Sequence, residues 1–462
     1  MLEATETDAT TVRQDYEAGV DTALVRLVSD ALGALDHERV RKYVADLRAP
    51  DLADLIEHLA AKERISFVQA LGPEIDYAFF SELDEAVRDQ LSDELPNDFL
   101  ARAVTELESD NAAYVLENLE PGDRQEVLDQ LNNTDRSALL RNFEYPDETA
   151  GRIMQSDFVT VAPFWNVGQV IDYMRDAEDL PYTFSAIYVV DPTYRVLGSL
   201  ELSRLLRSQR AVNVEDIMSS ETQTVLATED QEEVARQFER YDLISAAVVD
   251  ENQRLVGVVT VDDVVEVIKE EADEDIRLLG GVGDESVFDN VFQTTKSRFI
   301  WLLVNLGTAI LASSVIKLFD ASIEQMVALA VLMPIVASMG GNAGTQTMTV
   351  AVRAIATREL GPVNAARVVL RETSVGLING ALFAVILGLI TLFWFGSGAL
   401  GAVIAAAMIF NHLAAALAGI LIPLSLDRLG YDPAIASSVF VTTVTDIIGF
   451  FCFLGLATIW LL

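Results

Sequence analysis

The sequence predicts a multidomain membrane protein. It combines an α-helical superhelical N domain, a tandem α/β module, an acidic connector helix and a five-helix α transmembrane domain. Three observations carry this. Five apolar stretches in the C-terminal third each reach the roughly 20 residues that a membrane-spanning helix needs. A strand-and-helix unit occurs twice between residues 151 and 272. A nine-residue amphipathic pattern recurs within residues 22–145.

Charge separates the two halves. The chain has 462 residues, 51% of them hydrophobic, and a net charge of −39. From Lys296 onward there are eight basic and seven acidic residues, so −40 lies before that point and +1 after it. Only five of the 32 basic residues are lysines. A lysine-poor acidic surface stays solvated at high salt, which gives most individual carboxylates a general role. Cys452 is the single cysteine, so no intrachain disulfide forms and a reducing compartment fits. The opening MLEATETDATTVRQDYE lacks the basic and apolar regions of a secretory signal, and residues 1–21 read as a flexible N-terminus.

Residues 22–147 read as an acidic helical domain. The pattern starts with a polar cap and carries apolar residues at its fifth, sixth and ninth places: DLADLIEHL (from Asp51), NAAYVLENL (Asn111), DRQEVLDQL (Asp123) and DRSALLRNF (Asp135). The last three start 12 residues apart, a short helix plus a turn. Stacked short helices sharing one core are the expected result.

Residues 148–262 hold the tandem unit. Ile153-Met154 and Ile217-Met218 open the copies. Each continues with a strand, a helix, an apolar strand ending in Asp, a turn, a strand at Gly198 or Gly257, and a closing helix. Residues 263–296 form the connector, helical at first and rich in carboxylates. At spacings of three and four, such groups share one helical face and repel. The bland reading is a solvated linker helix.

Residues 297–462 carry the spans, near Phe299–Phe319, Met326–Ala351, Val368–Phe395, Leu400–Leu424 and Ala434–Leu462. Arg353, Arg358, Arg367 and Arg371 between the second and third spans place that connection in the cytoplasm. The acidic N-terminal half is then cytoplasmic and the C-terminus outside. The protein is expected in the cell membrane.

Two intramembrane stretches carry chemistry. In PIVASMGGNAGTQT, Pro334 removes a helical hydrogen bond, and Gly340, Gly341 and Gly344 permit close packing or a break. Packing does not need Asn342 and Gln346, four apart on one face with Thr345 and Thr349 alongside. In VTTVTDIIGF, Asp446 has apolar neighbours, with Thr442 and Gly449 along its stripe. An ionised carboxylate at that depth costs about 2.5–3.5 kcal/mol, so it faces a bundle interior, an aqueous path or a partner. Carboxylate, amide and hydroxyl oxygens without a Cys or His cluster suit Mg²⁺ or Ca²⁺. One Asp per chain is thin for this work; two chains about a two-fold axis supply a pair, which argues for a homodimer. Asn411 and His412 in the fourth span read as a hydrogen-bonded packing pair.

At this point the sequence resembles the MgtE family of magnesium channels and transporters over nearly its whole length. YPDETAGRIM, ADEDI, PIVASMGGNAGTQT, DPAIAS and VTTVTDIIGF carry the resemblance. The tandem module resembles a CBS (cystathionine-β-synthase) pair. Its second copy keeps Thr260 and Asp263 where that family often holds a nucleotide ribose, while the first has Glu201 and Arg204 there. ATP at that module is thus a secondary expectation. The resemblance implies a homodimer with Asp446 as the pore carboxylate and Asn342, Gly341 and Thr442 along the path. It also implies regulatory Mg²⁺ at Glu232, Asp242, Asp263, Glu266, Glu271, Glu274 and Asp275, with Asp432 meeting the connector and Asp110 contributing from the helical domain. Bound divalent cations would cancel carboxylate repulsion and close the pore, which is feedback through one favoured conformation.

The alternatives are a coupled secondary carrier for Mg²⁺ or Co²⁺, and a non-transporting sensor that reads nucleotides through its CBS pair. An enzyme is least supported, since His37, His58 and His412 are the only histidines and no nucleophile constellation accompanies the acids. Nucleic acid is not an expected partner of so acidic a chain.

Overall fold

The computed structural model describes residues 21–462 apart from 73–74, 118, 178–179, 182, 284, 289–290, 362 and 436–437. The N-terminus expected to be flexible therefore lies outside the described residues, except Asp21. Two compact units result, Met1–Glu270 and Glu271–Leu462.

In the first unit, short helices come first: α1 (Thr22–Gly33), α2 (His37–Val44), α3 (Ala49–His58), α4 (Ala61–Leu71), α5 (Glu85–Glu94), α6 (Asn97–Glu106), α7 (Ser109–Glu117), α8 (Pro121–Gln130) and α9 (Asn133–Asn142). All four copies of the nine-residue pattern fall on helices, in α3, α7, α8 and α9. The apolar places of the first two are buried, Leu55, Ile56 and Leu59, then Val115, Leu116 and Leu119; in the last two Val127, Leu128 and Leu139 are buried, Leu131 and Phe143 are partly buried, and Leu140 is exposed. The buried ones join Phe67, Phe79, Phe80 and Leu100 in one core.

The tandem module follows. Its first copy holds β1 (Val159–Val161), α10 (Val167–Asp176), β2 (Ala186–Val190), β3 (Val196–Glu201) and α11 (Leu202–Arg207). Its second holds α12 (Val214–Ile217), β4 (Thr224–Leu226), α13 (Gln231–Tyr241), β5 (Ser245–Val249), β6 (Leu255–Thr260) and α14 (Val261–Gly280). In each copy a parallel pair is followed by an antiparallel one, with the same bulge position. Asp191 and Asp250 close the turns by accepting from the Arg195 and Arg254 backbone N–H at 3.0 and 2.9 Å. Gly198 and Gly257 have matching jobs. A Cβ on Gly198 would strike Ser219 O, and one on Gly257 would lie 2.5 Å from Met154 Sδ. Each copy's entry arm thus crosses the other copy's last strand, bridging Ser199 to Ser219 and Gln155 to Val258.

The second unit contains the last part of α14, then α15 (Val291–Lys317), α16 (Asp320–Gln325), α17 (Ala328–Ala356), α18 (Ala365–Phe395), α19 (Gly398–Arg428) and α20 (Ser438–Leu461). Five of these, α15 and α17–α20, are long and apolar enough to cross a membrane, as expected; α16 is an added short helix. The central helix is α19, with 61% of its most apolar stretch buried against 6% for α15. Small residues let α18 and α19 approach: a Cβ on Gly376 would stand 2.6 Å from Ala416 Cβ, and one on Gly401 2.8 Å from Gly388 O.

Of the two expectations for the glycines of α17, close packing holds and a break does not. The helix runs unbroken through Pro334 and Gly340–Gly344. Lipid offers backbone groups no partners, so an unbroken helix keeps their hydrogen bonds within the segment.

Candidate ion path and cation sites

Glycines place one face of α17 against α19 and α20. Gly340, Gly341 and Gly344 are buried, and a Cβ on Gly344 would stand 2.5 Å from Val441 Cγ1. On Gly341 a Cβ would lie 3.2 Å from Thr442 Cγ2, and on Gly419 of α19 one would lie 2.6 Å from Gly344 O. The opposite face carries Asn342, Gln346 and Thr349, all exposed, with Thr345 half-buried between them. Asn342 and Gln346 thus present their amides outward, while the Thr349 hydroxyl turns back to Thr345 O at 3.0 Å.

Asp446 sits on α20, half-buried, directly after Thr445 of the buried Val441–Thr445 face. Such a carboxylate is costly in lipid, and the residues after it, Ile447 and Ile448, are apolar. Thr442, also half-buried, spends its hydroxyl on Val439 O at 3.1 Å. The expected path residues Asn342, Gly341, Thr442 and Asp446 therefore come from two adjoining helices, α17 and α20.

Asn411 and His412 do not form a pair with one another. Asn411 Nδ2 donates to Val336 O at 2.7 Å, and His412 Nδ1 meets Met408 O at 3.0 Å. His412 also stacks on Phe383, with ring centroids 5.5 Å apart. Successive helical residues point about 100° apart, so adjacent side chains reach different neighbours.

At the end of α14, Leu278 and Leu279 pack with Met348, Val352, Ala434 and Val441. Glu271, Glu274 and Asp275 are half-buried, on the same helical face as Leu278. Asp432 is exposed, and its Oδ1 accepts from the Ala434 N–H at 2.7 Å, starting the 3-10 turn Pro433–Ile435 before α20.

In the first unit, carboxylates converge where α7 meets α14. Asp110 is 7% exposed, shares a hydrogen bond with Asp263, and has a buried Oδ1 without a partner. Burial foremost, then the Asp263 charge, raises the Asp110 carboxyl well above the usual range; burial raises Asp263 as well. A hydrogen bond between two carboxyls needs a proton between them. Asp263 Oδ2 accepts from the Thr260 hydroxyl at 2.6 Å and the Thr260 N–H at 3.2 Å, and lies 3.3 Å from Gln155 Nε2. Gln155 also donates to Glu108 Oε2 at 2.9 Å. Glu108 is raised by burial first and then by Asp263, Asp262 and Asp157. Further along, partial loss of water followed by repulsion from Asp263, Glu82, Glu270 and Asp262 pushes Glu266 up to about 7. Its side chain keeps an exposed surface, so solvent blunts the effect relative to Asp110.

Glu232 and Asp242 stand elsewhere, at the two ends of α13. Glu232 lies 3.8 Å from Arg236, and Asp242 takes a left-handed backbone at φ 52°. Among the described residues no three His, Cys, Asp or Glu side chains already form a metal cage. The Asp110–Asp263 pair nevertheless fits a hard divalent cation: two carboxylates, one orphaned buried oxygen, and more acids close by. Glu108 and Gln155 were not anticipated from the sequence. Glu108 was accessible as the acid two places before Asp110; Gln155, a neutral residue in a loop, gave no signal.

Comparison with known proteins decides the family. Residues 333–456 match a family described as divalent cation transporter, residues 27–148 the MgtE intracellular N domain, and residues 150–211 and 214–270 the CBS domain. The magnesium transporter MgtE of Thermus thermophilus is 36% identical over 323 residues, 69% of this chain and 71% of that protein. The chain belongs to the MgtE family. Another MgtE, that of Bacillus subtilis, is 33% identical over 315 residues, 68% of this chain and 70% of that protein. Among solved structures, the soluble part of a magnesium transporter matches at 26% identity and TM-score 0.47, covering 54% of this chain and 98% of that one. The cytosolic domain of the Mg²⁺ channel MgtE in complex with ATP matches at 30% and 0.49, covering 53% and 99%. MgtE proteins are transporters, not enzymes, and this chain is a multi-pass membrane transporter of that family.

Proposed function

We propose that this chain is a Mg²⁺-selective channel of the cell membrane, working as a homodimer with its path on the two-fold axis and closed by cytosolic Mg²⁺. The observation that carries the reading is the polar face of α17. Asn342, Gln346 and Thr349 stand exposed in an apolar bundle, and Asp446 is half-exposed on the adjoining helix. Thr349 satisfies its hydroxyl on Thr345 O at 3.0 Å, but lipid satisfies neither the amides nor the carboxylate, so these face water or a second copy. The relatives named magnesium transporter MgtE support Mg²⁺ as the substrate. Mg²⁺ gives up its waters reluctantly, and a path lined by Asp446, Asn342 and Thr442 would hold it through them.

The regulatory set is Asp110, Asp263, Glu266, Glu271, Glu274 and Asp275 along α7 and α14, with Glu232, Asp242 and Asp432. A divalent cation supplies the positive charge that lets deprotonated carboxylates share one place. Asp110 and Asp263 would hold it in place of their proton. The ion then favours the arrangement in which these acids are close. Leu278 and Leu279 at the end of α14 pack with residues of α17 and α20, the helices bearing Asn342 and Asp446. The basic residues between α17 and α18 support an acidic half in the cytoplasm and a C-terminus outside. ATP is the other ligand expected at Thr260 and Asp263. Asp263 Oδ2 accepts from the Thr260 hydroxyl at 2.6 Å, so the two residues stand together there.

Mg²⁺ flux into vesicles tests the reading. Asp446→Asn loses selective flux, and Glu274→Ala/Asp275→Ala stays open at high cytosolic Mg²⁺. Wild-type selective flux through Asp446→Asn sinks the path assignment. Flux that persists without any single-channel conductance points to a coupled carrier instead.

A further inference from the structure

Asn411 is fully buried on α19, and its amide lies between glycines of two other helices. A Cβ on Gly340 of α17 would collide with Nδ2, and would lie 2.7 Å from Cγ and 2.8 Å from Oδ1. From the other side, a Cβ on Gly449 of α20 would lie 2.9, 3.0 and 3.1 Å from the same three atoms. The flat amide is thus clasped between α17 and α20. Its Nδ2 is tied to α17 through Val336 O at 2.7 Å, while its Oδ1 is buried with no partner. An unmet buried acceptor is costly, so the hydrogen bond to Val336 O is gained at the expense of Oδ1. Fold stability alone does not explain an amide here.

The clasp stands at the level of the path. Gly341 and Asn342 directly follow Gly340, and Asp446 lies one turn before Gly449. We propose that Asn411 is a positioning residue for ion selection. Its amide is the spacer that sets the separation of α17 and α20 where Asn342 and Asp446 stand, and so sets how well the path separates Mg²⁺ from larger divalent cations. A hydrated ion of fixed octahedral size is recognised only if the oxygens around it keep their spacing. A leucine is thicker than an amide and an alanine leaves a void; each shifts that spacing. The selectivity part rests on Asn342 and Asp446 lining the path.

The test uses the full-length protein in proteoliposomes. A Cβ at Gly341 would lie 3.9 Å from Thr442 Cβ, inside the range for a disulfide. In a Cys452→Ala background, Gly341→Cys/Thr442→Cys therefore cross-links on mild oxidation and reports the α17–α20 spacing without reference to transport. Asn411→Ala slows that cross-linking. In protein without the cysteine pair, Asn411→Ala lowers the Mg²⁺/Ca²⁺ flux ratio by roughly three- to tenfold. Gly340→Ala lowers the ratio alone but raises it in the Asn411→Ala background, because its methyl refills the void. Where Asn411→Ala yields no folded protein, Asn411→Leu carries the same measurements with the same expected directions. Unchanged cross-linking, or additive effects of Gly340→Ala and Asn411→Ala, overturns the spacer. Slowed cross-linking with an unchanged flux ratio keeps the spacer and overturns the path assignment of Asn342 and Asp446.

Discussion

Gly344 of α17 and Val441 of α20 meet with no room for a side chain between them: a Cβ on the glycine would stand 2.5 Å from Val441 Cγ1. Three residues earlier, the contact at Gly341 relaxes to 3.2 Å from Thr442 Cγ2. The two helices that bear Asn342 and Asp446 are therefore held tightest at Gly344.

That gradient orders two substitutions. Gly344→Ala overpacks a buried contact and costs about 1–3 kcal/mol. Gly341→Ala needs a shift of only a few tenths of an ångström at a half-buried threonine and costs less. Thermal unfolding of the detergent-solubilised protein checks the order, with Gly344→Ala melting at the lower temperature.

Asp110→Asn separates the proton from the cation. An asparagine amide donates to Asp263 as the protonated Asp110 does, so the metal-free arrangement of α7 and α14 survives. What is lost is the second negative oxygen. Mg²⁺-dependent protection of α14 from proteolysis is expected to weaken or vanish, while protection without Mg²⁺ stays near wild type.

Glu266 gives a pH dependence with a defined sign. Its carboxyl is raised in the folded protein from about 4.5 to about 7. The folded state thus binds the proton more tightly than the unfolded one, and the stability this contributes is complete below pH 4.5 and lost as pH rises through 7. In chelator, amide hydrogen exchange at the start of α14 should speed up between pH 5.5 and 8, and Glu266→Gln should flatten that change. Added Mg²⁺ acts in the opposite direction at high pH, because it needs the deprotonated carboxylates.

Two ion pairs of the first unit differ by environment. Arg152 lies 2.6 Å from Glu117 with its side chain only 12% exposed, and it covers the Phe143 ring. Arg210 lies 2.6 Å from Asp172 with both partners more than half exposed. Arg152→Ala should cost about 1.5–3 kcal/mol as a lost charged hydrogen bond, and Arg210→Ala about 0–1 kcal/mol. Denaturant unfolding that ranked them the other way would show that this reading of Arg152 is wrong.

Much of this architecture was legible in the residues alone. Periodic patterns such as NAAYVLENL and the long apolar runs report local rules, helical spacing and span length, and these survive whatever the chain later packs against. The repeat at Ile153-Met154 and Ile217-Met218 was visible for the same reason. Asp446 and Asn342 stood out because polar groups in an apolar run need an explanation wherever the helix lies.

Tertiary structure alone decided the rest. Nothing in the spacing of PIVASMGGNAGTQT says whether its glycines break the helix or seat a neighbour; the arrival of Asn411, Val441 and Thr442 from elsewhere in the chain settles it. Among dozens of similar acids, burial against Asp263 singles out Asp110. Asn411 reads in sequence as an ordinary packing residue beside His412, and becomes a spacer only because Gly340 and Gly449 close on it from both sides. Local patterning is written in neighbouring residues, whereas burial, close approach and unmet hydrogen bonds depend on segments far apart in sequence.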